Sequence, residues 1–173
     1  FYAISDNLLR FYFTYVHPNR SRIQQFGVDA VFEQFVEPSL STYLSYRFED
    51  IARSYFSRSV KSGSLKGVID VGTYWYDDKK RHKNGEFDCA VSYGDGYDIF
   101  EVKHLSAPMD RTLADAEIRK IQEIGAMNVK HIGFVSLEGF SFTDPDYILI
   151  SGKELFSPEL ETPACRKKHD QLG

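Results

Sequence analysis

GEFDCAVSYGDGYDIFEVKH, residues 85–104, reads as a β-hairpin with ionisable side chains gathered on one face. Two runs rich in β-branched and aromatic residues flank Gly94, Asp95 and Gly96, a hairpin signal of the Asp-Gly kind. Side chains alternate across a strand, so Glu101 and Lys103 share a face while Phe100 and Val102 take the other. On the first strand the alternation makes Phe87, Cys89 and Val91 the apolar side, with Glu86, Asp88 and Ala90 opposite.

The turn sets the register. With Asp95-Gly96 as a two-residue turn, Asp88 falls opposite Lys103; with Gly94-Asp95 it falls opposite Glu101. Either register keeps Asp88 on the face of Glu101 and Lys103, whereas a three-residue loop without a compensating bulge turns it away. Directly opposed residues have Cβ atoms about 5 Å apart. Asp88 and Glu101 can then share one divalent cation, with Lys103 beside it.

Working outward, Leu44, Phe48, Ile51 and Tyr55 recur at i, i+4, i+7 and i+11, predicting a helix over 40–59. A strand over 67–76 follows, then a polar turn from Asp77 to Gly85 into the hairpin. Lys79-Lys80-Arg81-His82-Lys83 in that turn is either a phosphate-holding patch or a solvated hairpin tip. Beyond the hairpin the pattern predicts a helix over 108–126, with Ala114, Ile118, Ile121 and Gly125 on one stripe. A mostly apolar strand over 129–137 and an edge strand over 147–150 come next. The order αβββαβ implies an α/β fold in which a central mixed sheet lies between flanking helices.

Upstream, residues 2–5 read as a short strand and Asp6 as the N-cap of a helix reaching Val16 and ended by Pro18-Asn19. Its aromatic residues pack either on the domain behind it or against a missing upstream domain. Residues 20–38 are a connection containing a short helix over 28–36. The expected organisation is a helical N-terminal extension or linker over 1–38, a core over 39–156 and a tail over 157–173.

The 173 residues suffice for one domain with a sizeable core. The net charge of −4 gives no global electrostatic reason to bind nucleic acid, so any such contact must be local. Cys89 and Cys165 form no metal or CxxC motif and read as reduced thiols in a cytoplasmic setting. No apolar run approaches the roughly 20 residues that span a bilayer, and no signal peptide is present. Phe1 in place of methionine suggests a piece of a longer polypeptide. A GxxxxGK[ST] loop and an HExxH motif are both missing, and His17, His82, His104, His131 and His169 lack metal-ligand spacing. His104 is expected on the face opposite Lys103.

Asp88 followed on the next strand by Glu101-Val102-Lys103 resembles the PD-(D/E)xK nuclease superfamily, with Gly85-Glu86-Phe87 standing where the fuller motif has a proline. Tyr2-Ala3-Ile4-Ser5-Asp6, Leu9-Arg10-Phe11-Tyr12 and His17-Pro18-Asn19 are similar to the opening of the C-terminal domain of archaeal-type AAA+ ATPases, a domain of unknown function. That resemblance covers residues 2–104 best and implies a restriction-endonuclease-like core, with upstream ATPase and winged-helix domains in the same polypeptide. It implies Mg2+ or Mn2+ held by Asp88 and Glu101, and a DNA substrate. Phe48-Glu49 matches a first-helix glutamate that points into the metal site; a solvated helix-edge glutamate is the other reading of Glu49. In such a site magnesium takes carboxylate oxygens and lowers the pKa of a bound water. Lys103 orients or deprotonates that water and stabilises the anionic transition state. Two other readings stand beside this one. The trio Asp88, Glu101 and Lys103 can be an exposed cross-strand salt bridge worth at most about 1 kcal/mol, and the domain can be a catalytically inactive regulatory or interaction module of the ATPase.

Overall fold

The computed structural model describes residues 4, 6–79, 82–124 and 127–157. The chain divides into two compact units, residues 1–47 and 48–173. The strand expected over 2–5 and the tail over 158–173 lie outside the described residues, apart from Ile4.

The first unit is helical nearly throughout. Asp6 caps helix α1 (Asn7–Phe11), its carboxylate accepting the Leu9 N–H at 2.8 Å. A π-helical stretch (Tyr12–Val16) and a 3-10 turn (His17–Asn19) follow, the turn holding Pro18. The chain stays helical in α2 (Arg20–Phe26), so the connection expected over 20–27 is a helix that stops at Gly27, where φ is +82°. Without a Cβ, glycine takes that conformation at little cost. Next come α3 (Val28–Val31), a second π stretch (Phe32–Val36) and the start of α4 (Glu37–Lys61). Of the opening aromatics, Tyr15 is buried in this unit, bonding Ser39 at 3.0 Å with its ring 5.2 and 5.4 Å from Phe11 and Tyr43, whereas Phe13 is exposed.

The second unit is a mixed five-stranded sheet with helices. Its strands, β1 (Val68–Asp78), β2 (Lys83–Tyr93), β3 (Gly96–Lys103), β4 (Val129–Ser136) and β5 (Ile148–Ser151), lie side by side in chain order. β1, β2 and β3 pair antiparallel; β4 runs parallel to both β3 and β5. Parallel neighbours need a crossover, and α5 (Arg111–Gln122) makes the one from β3 to β4. A short α6 (Gly152–Leu155), capped by Ser151 and Glu154, closes the described chain. The expected elements are present with shifted ends. The second helix is shorter than the 108–126 stretch because Asp110 caps it, accepting the Leu113 N–H at 2.8 Å.

Each face of the sheet carries its own core. Phe48, Ala52, Tyr55 and Phe56 of α4 meet Cys89, Val91, Phe100, Val102 and Val135 on one face. On the other, Ile121 and Ile124 meet Phe87, Ala90 and Ile99, while Ala114 and Ile118 pack with Phe134 and Met109. The buried stripe of α4 keeps Phe48 and Tyr55 of the expected one and extends to neighbouring positions. Ala52 and Phe56 join it, and Leu44 is exposed. Trp75, the chain's single tryptophan, is 74% exposed on edge strand β1.

Gly133 of β4 leaves no space for a side chain. A Cβ there would meet the Phe100 ring at 2.5 Å and the Ile148 carbonyl at 2.8 Å. That ring is also packed against Phe56, with centroids 4.3 Å apart. Gly133→Ala is therefore expected to destabilise the protein by about 1–3 kcal/mol, the usual cost of overpacking. A thermal melt followed by circular dichroism checks this; an unchanged midpoint would contradict the packing described.

A candidate catalytic site where two strands part

The hairpin closes through Gly94 and Asp95, with Tyr93 paired to Gly96 and Cys89 to Phe100. Of the two registers open from sequence, this is the one that sets Asp88 across from Glu101. The β2–β3 ladder stops at Cys89 and Phe100, and the Asp88 side chain continues the connection, its Oδ2 accepting the Val102 N–H at 2.9 Å. A carboxylate stands in for a strand backbone at the point where β2 and β3 part.

A β-bulge makes this possible. β1 and β2 pair Gly72 with Ala90 and then Tyr74 with Phe87, so Thr73 faces both Asp88 and Cys89. One extra residue reverses the alternation on either side of it. Phe87 consequently joins Ala90 and Ile99 on the α5 face, while Cys89 and Val91 keep the α4 face. The strict alternation that placed Phe87 with Cys89 and Val91 is corrected by that bulge.

Arg53 of α4 supports it. Its guanidinium donates to the Asp88 carbonyl and to Thr73 Oγ1 at 3.2 Å, and it pairs with Asp50 at 2.7 Å and Glu49 at 3.7 Å. Burial first, and then the Asp88 charge, raise the Glu49 pKa above its ordinary value against the pull of Arg53. Glu49 thus senses Asp88 from α4. His104 turns toward α4, its ring 5.8 Å from Phe48, while Lys103 joins α5.

The remaining residues converge on the α5 side. Glu101 is 8% exposed and bonds Lys103 through Oε2 at 3.1 Å. Lys103 also reaches Glu117 Oε1 of α5 at 3.1 Å, and the other Glu117 oxygen takes Lys120 at 2.7 Å. Burial pushes the Glu101 carboxyl up to about 7, with Asp88 and Glu117 adding to the shift and Lys103 opposing it. Burial alone would lower the Lys103 amine's pKa; Glu101 and Glu117 outweigh it and hold the amine above its ordinary value. Glu117, despite its burial, is held below the ordinary carboxylate value by Lys120 and Lys103.

Asp88 thus reaches the backbone between Glu101 and Lys103 and acts on the Glu101 charge, Glu101 bonds Lys103, and Glu49 is connected through Asp88. Arg53 and Glu117 were not anticipated. The signal for Glu117 was present, since Ala114, Glu117, Ile118 and Ile121 fall at i, i+3, i+4 and i+7, which places a glutamate inside an apolar stripe. Among the described residues no three or more His, Cys, Asp or Glu side chains are arranged to hold an ion. Magnesium needs only one or two carboxylates, with waters and phosphate oxygens completing its shell. The mutually repelling Asp88 and Glu101 fit that donor set.

The sequence matches a family described as archaea bacterial proteins of unknown function over residues 12–121. It is also 28% identical over 161 residues to an uncharacterized protein of Methanocaldococcus jannaschii, a match covering 91% of this chain and 32% of that protein. The chain thus spans about a third of that relative's length. No solved structure matches. Among the described residues no helix is long and apolar enough to cross a membrane.

Proposed function

This chain belongs to the family of archaea bacterial proteins of unknown function, and on that premise we propose that its second unit is a restriction-endonuclease-like domain hydrolysing nucleic-acid phosphodiesters, DNA foremost. The observation that carries the reading is that Asp88, where β2 and β3 part, takes the N–H of Val102, the residue between the Glu101 and Lys103 that bond one another. The order α4-β1-β2-β3-α5-β4 agrees with it. Asp88 and Glu101 would hold Mg2+ or Mn2+, which supplies charge neutralisation at the phosphate and a more acidic water. Lys103 contributes a fixed positive charge to the phosphorane-like transition state and a donor that orients the attacking water. With both carboxylates raising its pKa, Lys103 acts as an ammonium rather than as a general base. Glu49 adds a carboxylate from α4, aligned by Arg53.

The parent protein in this reading is an ATPase that carries the domain at its C-terminal end, with a winged-helix segment between them, acting in the cytoplasm. The length of the archaeal relative leaves room for such partners. An interaction module built on the same fold is the competing reading, and the exposed Leu8, Phe26 and Val28 of the first unit favour it. Duplex, branched and single-stranded DNA and RNA, offered with magnesium, manganese or chelator, decide between them. The nuclease reading expects cleavage of at least one substrate, lost in chelator. Intact substrates throughout, with and without the parent polypeptide, would overturn it.

A further inference from the structure

Glu117 is the most deeply buried charged group touching the site, 5% exposed on the core-facing stripe of α5. A carboxylate in such a place costs stability unless it is fully paired, and a shape-matched apolar residue often serves stability as well or better. Its pairing is also directional. Lys120 occupies Oε2 at 2.7 Å, which leaves Oε1 aimed at Lys103 at 3.1 Å. Lys103 in turn divides its amine between Glu117 and Glu101, the latter again at 3.1 Å. The line Lys120, Glu117, Lys103, Glu101 runs from an exposed helix side chain to the proposed cation ligand.

Glu101 cannot serve both neighbours equally. An oxygen committed to a divalent cation gives up much of its attraction for an ammonium, and the cation itself repels that ammonium. A lysine with four rotatable carbons and no second anchor would then leave the site. We infer that Glu117 is a positioning residue that keeps the Lys103 amine at the site when Glu101 turns to the cation. The inference rests on the reading of Asp88 and Glu101 as cation ligands. It places the lysine's anchor on the second core helix instead of on the strand that bears the motif. Glu117 itself touches neither cation nor substrate.

The test uses the whole chain with 15N-lysine labelling and Glu117→Gln, a near-isosteric change that keeps an acceptor but removes the charge. In the wild type the Lys103 Nζ resonance is expected to remain protected from solvent exchange both before and after magnesium is added. In Glu117→Gln it should be protected without magnesium, through Glu101, and lost on adding it. Calorimetric affinity for magnesium should match the wild type, while turnover falls about 100-fold at unchanged substrate KM, the cost of a misplaced catalytic group. Lys120→Met, at an exposed position, should show a smaller loss of the same kind. Restoring the charge with Glu117→Asp should recover part of the turnover. A Lys103 signal that survives magnesium in Glu117→Gln overturns the inference, as does one lost in the wild type. Absence of any magnesium binding to the wild type overturns instead the cation-site reading beneath it. If Glu117→Gln does not fold, Lys120→Met carries the test, and an unchanged resonance and turnover in that variant count against the inference.

Discussion

Replacing Lys103 by alanine is expected to lower metal-dependent cleavage by about 10²–10⁴-fold, the range for a positioned group acting on the reacting atoms, while leaving cation binding largely intact. The amine binds the two carboxylates Glu101 and Glu117 and is no cation ligand. Asp88 should behave differently. Asp88→Ala would remove a proposed ligand, and it strips the Val102 N–H of its acceptor, which costs about 1–3 kcal/mol for a buried donor. Asp88→Asn is the cleaner variant. Its amide oxygen can still accept that N–H, so the fold should hold while cation affinity and cleavage both fall. Cleavage assays and calorimetry on Lys103→Ala and Asp88→Asn check the two expectations side by side. Metal-dependent cutting that survives in both would point to another site or to a contaminant. If no variant ever cuts, and each still supports the parent protein, the interaction module takes its place.

Glu101→Gln is expected to change how stability depends on pH. The Glu101 carboxyl titrates at about 7 in the folded chain against 4.5 when free, so the folded state holds its proton longer. The stabilisation is full below 4.5 and is lost as pH rises through 7. The gap between those two values corresponds to about 3 kcal/mol, most of which applies because the group is nearly buried. Lys103 and Glu117 titrate outside this window, since the first is raised above its ordinary value and the second lowered below it. The melting temperature of Glu101→Gln relative to wild type should therefore climb between about pH 4.5 and 8 in metal-free buffer. At roughly 2–4 °C per kcal/mol for a chain of this size, the climb should approach 10 °C. Parallel melting curves at all pH values would show that Glu101 is neither as buried nor as close to Asp88 as described.

The hairpin, the second core helix and the parallel strand after it were legible because each imposes a strong period. Phe100 and Val102 against Glu101 and Lys103 leave no choice of face. The helix α4 was legible as a helix but its inward face only in part. Leu44 and Ile51 outrank Ala52 in hydrophobicity, yet alanine is what permits close approach to the sheet, and burial follows fit as well as polarity. Helix α2 was missed because RSRIQQF offers a single aliphatic residue and no repeating stripe. The site was half legible. Asp88, Glu101 and Lys103 announce themselves by spacing, whereas Arg53 and Glu117 look like ordinary surface charges until the sheet places them. Between the two registers the sequence had no preference, since Gly94-Asp95 and Asp95-Gly96 are both acceptable turns.

The bulge at Asp88 and Cys89 bears on how this family should vary. Because it reverses the alternation, residues 87 and 89 answer to different halves of the molecule, although two positions apart in a strand normally means shared neighbours. Phe87 rests on Tyr76, with ring centres 5.2 Å apart, and near Tyr74. Cys89 pairs with Phe100 in the core that Phe56 fills. Across homologues, a change of size at 87 should be accompanied by changes at 74 or 76, and a change at 89 by changes at 56 or 100. Covariation between 87 and 89 themselves should be weak. An alignment in which those two positions vary together would mean that the extra residue lies elsewhere in the strand.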